Sequence, residues 1–267
     1  MSPLLAALAP DSSLVAILYI VSFSLFIFGI KLGTHPTSAR RGNGVAAIGM
    51  AIAVVTTLCL EGIGNWGIII VGILVGTVVG AVASKKVKMT EMPQMVALYN
   101  GLGGGAIALI AWSEYRHWVH LGDVLSGNGF THAILLQYES LSFAVAKNFS
   151  VSASVPLEVM IPTLLAMVIG SISFWGSNVA FGKLQELIPS QPLALPGQKI
   201  INAALLLILV VGCVYLGINN DIGDLNQPVF ILMLVVAALL GVGVVMPIGG
   251  ADMPVVISLL NAFTGLS

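Results

Sequence analysis

Charged side chains are scarce in this sequence: only 8% of its 267 residues are Asp, Glu, Lys or Arg, whereas 58% are hydrophobic. A soluble domain carries roughly 25% charged residues. Because so few charges cannot cover a water-facing surface, the composition excludes a soluble globular protein and indicates that lipid is the main solvent. The net charge of −1 also excludes a general attraction to nucleic acid.

Cysteine and histidine are also rare, with two and four residues. Cys59 and Cys213 lie within apolar runs and lack metal-ligand spacing, so we interpret them as small buried hydrophobic residues. The histidines fall in predicted connections, and His117 and His120 are interpreted as a solvent-exposed cluster. The sequence therefore predicts no metal site, and it contains no phosphate loop and no nucleophile elbow.

Two glycine patterns match the dinucleotide-binding fingerprint in letters only, at residues 62–67 and 101–106. A true fingerprint follows a strand and opens a helix whose N-terminus meets the pyrophosphate. The first pattern lies in a short connection and the second inside a predicted span, so neither predicts a nucleotide site. Gly72, Gly76 and Gly80 instead form a stripe on which another helix can pack closely.

Seven apolar runs are long enough to cross a membrane, since a spanning helix needs about 20 mainly apolar residues. Their predicted positions are Leu14–Leu32, Val45–Leu60, Gly67–Ala83, Met92–Trp112, Val155–Phe174, Ile200–Leu216 and Val229–Met246. An eighth run, Met253–Leu266, is too short and is interpreted as a helix cut in mid-course. The runs are continuous rather than alternating, which favours helices over barrel strands. The predicted fold class is all-α, a polytopic transmembrane helix bundle.

Basic residues are concentrated in alternate connections, and eight of the ten Lys and Arg fall on one side of the predicted membrane. The positive-inside rule makes that side cytoplasmic and places the N-terminus outside. The segment 113–154 is then a long extracytoplasmic connection, either an amphipathic helix along the membrane surface or an irregular loop.

Four polar residues lie within or beside the predicted membrane spans, where burying a polar side chain costs free energy. A charge at membrane depth costs about 2.5–3.5 kcal/mol on insertion scales, so Glu158 is either a proton-exchanging group or an interfacial residue that reaches water. Asp252 lies in a Gly- and Pro-rich break and is suited both to capping the next helix and to a functional role. Asn100 and Asn261 fall inside apolar helices, where each needs a hydrogen-bonding partner.

Three phrases carry a family resemblance: MTEMPQMVA at residues 89–97, VAFGKL at 179–184 and GGADMPVVISLLN at 249–261. They resemble the transmembrane domain of the β subunit of proton-translocating nicotinamide nucleotide transhydrogenase. That family transfers hydride between NAD(H) and NADP(H) and couples the transfer to proton flow. The resemblance implies that residues 1–267 form one transmembrane proton-channel domain, cut before the NADP(H)-binding domain. This transmembrane domain is expected to bind no nucleotide by itself.

The resemblance also implies partners and a location. The expected partners are the α-subunit membrane helices, the NAD(H)-binding domain, the NADP(H)-binding domain of the β subunit and a second copy of the complex. The expected location is the lipid bilayer of the cell inner (plasma) membrane, with multiple crossings.

Five residues match positions of the family's proton path. Glu158 matches a carboxylate near the outer entrance, and Ser177 matches a polar residue of the path. Asp252 matches the inner-side aspartate that communicates with the NADP(H) domain, and Asn261 a polar residue on the following helix. Asn100 stands where many members carry a titratable histidine. Because asparagine cannot titrate, a partner chain is expected to supply the proton carrier at mid-membrane.

Two other classes of membrane protein deserve comparison. A proton-coupled secondary transporter would also use buried carboxylates, but it should contain an inverted internal repeat, which the sequence does not show. A structural membrane anchor would have no need of Glu158 or Asp252.

Overall fold

The computed structural model describes residues 12–60, 63–125, 154–221 and 225–267. Over these ranges the regular elements are helices, accompanied by an isolated bridge between Ser154 and Asp221. The α-helices are α1 (Ser13–Gly33), α2 (Ala39–Leu58), α3 (Trp66–Lys86), α4 (Met92–Leu125), α5 (Leu157–Leu184), α6 (Gln198–Ile218), α7 (Gln227–Val245) and α8 (Met253–Leu266). Short 3-10 turns, Met89–Glu91 and Gly250–Asp252, lead into α4 and α8.

Seven helices, α1 to α7, are long and apolar enough to cross a membrane, and α8 is a shorter apolar helix. These lengths confirm the predicted all-α, polytopic transmembrane class. The exposed side chains of these helices are largely Ile, Leu, Val and Phe, for example Ile27 and Ile68 at 70% and 74% exposure. Such a surface is stable in hydrocarbon and would associate in water.

Two helices extend at least ten residues beyond the C-terminal ends of their predicted apolar runs. The helix α4 continues past Trp112, and α5 continues past Phe174. A helix can extend beyond its membrane-spanning part because residues such as Glu, Lys and Arg are good helix formers. His117 and His120 therefore lie on α4 and not in a connection, which corrects the prediction for those two residues.

The long connection predicted at 113–154 begins as helix, because α4 runs through its first residues. Residues 126–153, which include His132 and most of the segment expected to be an interfacial helix or a loop, lie outside the described residues.

The chain forms two compact units, Met1–Lys86 and Val87–Ser267. In the first unit α1 and α2 pack as a hairpin along small residues spaced by seven: Val15, Ser22 and Gly29 on α1, and Gly42, Gly49 and Thr56 on α2. The Ser22 hydroxyl donates to the Gly49 carbonyl at 2.7 Å, which ties the two helices at mid-length. Cys59 caps α2 and is exposed, which corrects the prediction that it is buried.

The helix α3 has no buried residue in the part of the chain that the structure describes. A methyl group added at Gly72, Gly76 or Gly80 would meet nothing within 4 Å. No described residue of this chain therefore packs against the predicted glycine stripe.

In the second unit α5 is the central helix and packs against α4, α6, α7 and α8. One hydrophobic cluster joins the start of α5 to α4 and α7, where Tyr115 stacks on Phe230 with ring centres 4.3 Å apart. A second cluster, which includes Ala97, Ala180 and Leu260, joins the other end of α5 to α4, α7 and α8. Polar residues at the middle of α5 therefore lie between two apolar layers.

Candidate functional site

Small residues bring α4 and α5 into backbone contact at mid-length. A methyl group added at Gly104 would lie 2.8 Å from the Ser173 Cβ and 2.9 Å from the Gly170 carbonyl oxygen. One added at Gly170 would lie 2.7 Å from the backbone of both Gly104 and Ala108. Only glycine fits at these two positions, so the glycine-rich stretch 101–106 is a helix-packing surface.

The close contact places two predicted site residues side by side. The Asn100 amide nitrogen of α4 donates a 2.8 Å hydrogen bond to the Ser177 hydroxyl of α5. Asn100 is 6% exposed and Ser177 is fully buried. The two residues are 77 positions apart in the sequence, so the fold alone creates this Asn100–Ser177 pair.

The pair has unused hydrogen-bonding capacity. The Asn100 side-chain oxygen is buried and has no partner among the described residues. The Ser177 hydroxyl accepts from Asn100, which leaves its own proton available to a second acceptor. A buried, unpaired carbonyl oxygen is costly, and ordered water often satisfies such groups. The pair therefore provides one acceptor and one donor for a water molecule or a proton-carrying group.

Two further buried polar groups lie near the C-terminal end of α5, and the sequence did not predict either of them as a site residue. Gln94 of α4 donates to the Leu184 carbonyl at 3.3 Å, and its side-chain oxygen is buried without a partner in the described part of the chain. Lys183, predicted to flank a connection, is instead fully buried in the last turn of α5. The signal for Lys183 was its spacing, because Lys183 follows the buried positions Ser177 and Ala180 at intervals of three.

Lys183 is held by backbone carbonyls rather than by carboxylates. Its ammonium group donates to the carbonyls of Met246 and Ile248, the latter at 2.8 Å. Met246 is the C-terminal cap of α7. Helix C-termini present free carbonyls and the negative end of the helix dipole, so they can stabilise a buried cation.

Asp252 ends the 3-10 turn that precedes α8 and is exposed. It occupies the N-cap position of α8, but its side chain makes no capping hydrogen bond, while Pro254 lies in the first turn as expected. The carboxylate is therefore free to contact a group outside the described residues. Asn261 is also exposed, on the face of α8 away from buried Leu260. Its predicted hydrogen-bonding partner is not among the described residues.

Glu158 lies in the first turn of α5, at the end of the helix opposite to Lys183. It is exposed among the described residues, as in the interfacial alternative that the sequence left open. The nearby chain is fixed instead by Val155, whose N–H donates to the Asn220 carbonyl at 2.9 Å and whose carbonyl accepts from the Asn220 side chain at 2.9 Å.

The residues of α4 do not fit a dinucleotide. Gly101, Gly103 and Ala106 lie in the middle of a continuous helix, so their N–H groups are engaged in helix bonds and cannot meet a pyrophosphate. The Gly101 face is moreover covered by Ser177 and Asn178.

Comparison with known proteins identifies relatives along almost the whole chain. Residues 15–267 match the sequence model of a family described as NAD(P) transhydrogenase beta subunit. Two curated proteins named NAD(P) transhydrogenase subunit beta, both from Rhodospirillum rubrum, are each 35% identical over 253 residues. The aligned region covers 95% of this chain and 48% of each relative, so the chain spans about half the length of these relatives. These matches give no support to a secondary transporter.

Proposed function

The chain belongs to the NAD(P) transhydrogenase beta subunit family, and from this membership we propose that it is the membrane-embedded, proton-translocating part of such an enzyme. In the proposal, proton flow through this bundle is coupled to hydride transfer between NAD(H) and NADP(H). In the proposal, both nucleotides are held on other domains.

The observation that carries the proposal is the buried Asn100–Ser177 pair with its unpaired oxygen. A structural hydrogen bond between helices would satisfy both side chains, because an unpaired buried acceptor lowers stability by about 1–3 kcal/mol. A proton path, in contrast, requires polar atoms that can exchange partners. We therefore assign the pair to the path, at its mid-membrane constriction.

Neither member of the pair titrates near neutral pH, so a proton carrier must come from elsewhere. We propose a histidine on a partner membrane helix, since imidazole titrates in the physiological range. Asn100 faces α5 and is 6% exposed, so the imidazole would reach the pair through a bound water molecule rather than by direct contact. The α-subunit membrane helices are the proposed source.

The exposed polar residues support the remaining assignments. Glu158 is the proposed outer entrance of the path, and Asp252 the proposed contact to the NADP(H)-binding domain. Asn261, exposed on α8, is proposed to face the same path from a surface that a partner helix covers. The fully unburied α3 supplies a further surface for lipid or for partner helices. The proposed assembly is a dimeric complex in the cell inner membrane, with an α subunit that binds NAD(H).

The proposal is tested with the full-length complex in sealed vesicles. Addition of NADPH and an NAD⁺ analogue should move protons across the membrane, and an uncoupler should collapse the pH gradient and accelerate the hydride transfer. Hydride transfer without any pH gradient would overturn the proposal. In a parallel calorimetric titration, the purified chain should not bind NADPH; a dissociation constant of about 1 μM, equivalent to about −8.2 kcal/mol, would contradict the placement of the nucleotides on other domains.

A further inference from the structure

The loop that carries Asp252, residues 246–252 between α7 and α8 and called here the α7–α8 loop, is fixed chiefly by α5 and the segment that follows it. Lys183 donates to the carbonyls of Met246 and Ile248. The Gly250 N–H donates to the Ser190 carbonyl at 2.9 Å, and the Ser190 hydroxyl donates to the Lys183 carbonyl at 3.0 Å. Lys183 therefore restrains the loop in two ways: directly through its ammonium group, and indirectly through its carbonyl, which holds Ser190.

Side-chain packing holds one part of this loop, because Ile248 is half-buried and packs against the second hydrophobic cluster. An open depression of about 470 Å³ borders the loop on the side of Lys183 and Ser190. Gly249 and Gly250 have no side chain to pack, so the backbone there depends on hydrogen bonds. The loop accepts such bonds from Lys183 and from the Leu193 N–H, and it donates one to Ser190.

The helix that holds the loop also holds the buried polar pair. Ser177 and Lys183 are both buried positions of α5, six residues or about 9 Å apart along the helix axis. The C-terminus of α5 is capped by a backbone hydrogen bond, in which the Leu187 N–H donates to the Gly182 carbonyl at 2.9 Å. Glu186 adopts the left-handed conformation at φ 57° within this turn. A shift of α5 at Ser177 would thus be carried to the loop through Lys183.

We propose that Lys183 is a positioning residue that sets where Asp252 stands and links that position to the Asn100–Ser177 pair. The inference rests on the proposed function, since it takes Asp252 to be the contact with the NADP(H)-binding domain. The ammonium group neutralises the carbonyl end of α7 and fixes the loop backbone at two points. Asp252 itself makes no capping bond, so its location depends on the backbone that Lys183 holds.

The test compares Lys183→Met with Lys199→Met in the full-length complex. Lys199 is an exposed lysine near the start of α6, on the same predicted side of the membrane, so the control removes the same charge without touching the loop. Amide hydrogen exchange is measured over residues 246–252, and two rates are measured in vesicles: proton-coupled transhydrogenation and the cyclic exchange between bound nucleotides.

Lys183→Met should raise amide exchange in the loop and lower the coupled rate about tenfold, with the cyclic rate within about twofold of the unmodified complex. Lys199→Met should change none of these. If Lys183 had a purely structural role, its loss would lower the coupled and the cyclic rates in parallel, and that outcome overturns the proposal. Unchanged amide exchange in the loop overturns it as well. If Lys183→Met does not assemble, Lys183→Gln, which keeps one donor, should give an intermediate rise in exchange; wild-type exchange in that variant also overturns it. The exchange result stands even if the complex fails to pump protons, so failure of the proposed function is recognised separately.

Discussion

The buried contact between α4 and α5 differs from the two ends of α5 in how many of the polar groups are bonded within this chain. At the contact, Asn100 and Ser177 are enclosed by α4 and α5 and bonded to each other. At the ends, Glu158 and Asp252 are exposed, and among the described residues no hydrogen bond fixes either carboxylate. Both regions were predicted to belong to the same path.

The difference indicates two kinds of role. A constriction in a membrane must be shaped by rigid packing, and the glycine contact between α4 and α5 provides it. An entrance or a docking contact must stay open to water or to another chain, and the exposed carboxylates fit that requirement. Changes at the α4–α5 contact should therefore affect folding or conduction, and changes at the ends of α5 should affect contacts with water or with other chains.

The largest effect is expected from filling the glycine contact. Gly170→Leu places a side chain against the backbone of Gly104 and Ala108, where a methyl group would already lie within 2.7 Å. Overpacking typically costs about 1–3 kcal/mol and occasionally more. Because the clash here is with backbone atoms that cannot rotate away, little folded complex should survive purification in detergent. Gly217→Leu on α6 is the control, because an added methyl group there meets nothing within 4 Å. Equal yields of the two variants would show that the contact does not hold the bundle.

Asp252→Asn tests the open end near α8. The substitution keeps the size of the side chain and removes its charge, so assembly should be normal. Coupled transhydrogenation should fall about tenfold, as expected for the loss of a typical coupling energy, while cyclic exchange between bound nucleotides remains. Normal coupled rates in this variant would exclude Asp252 as the contact to the NADP(H)-binding domain.

Glu158→Gln tests the opposite end and should have a smaller effect. An exposed carboxylate at an entrance can be replaced in part by water, so the pumping rate should fall by less than about tenfold, or about 1.4 kcal/mol of barrier. Glu114→Gln on α4, also an exposed carboxylate, serves as the control. Pumping at the normal rate in Glu158→Gln would exclude it as a proton relay.

Asn100→His is expected to have the smallest effect on activity. An imidazole at this position can still bond to Ser177, and it brings a titratable group onto this chain. Coupled rates should stay within about threefold of the unmodified complex. A complex structure without a histidine or a water-linked histidine near Asn100 would contradict the partner-supplied carrier.

The sequence predicted the fold better than the site. Continuous apolar runs are enough to locate spanning helices, because the bilayer fixes their length. The same reasoning misplaced Lys183, since the apolar run of α5 ends well before the helix does. It also could not pair Asn100 with Ser177, which depends on the register of two helices set by Gly104 and Gly170. The exposure of Glu158 follows from its place in the first turn of α5, a boundary that hydropathy does not resolve.

The most direct test of the central claim, that the Asn100–Ser177 pair belongs to the proton path, is proton translocation by Ser177→Ala in vesicles. Ser171→Ala is the matched control: Ser171 is buried on the same helix and donates to the Leu234 carbonyl at 2.8 Å, away from the pair. Ser177→Ala should lower proton translocation about tenfold or more and retain cyclic exchange, whereas Ser171→Ala should translocate protons normally. Equal translocation by the two variants would contradict it.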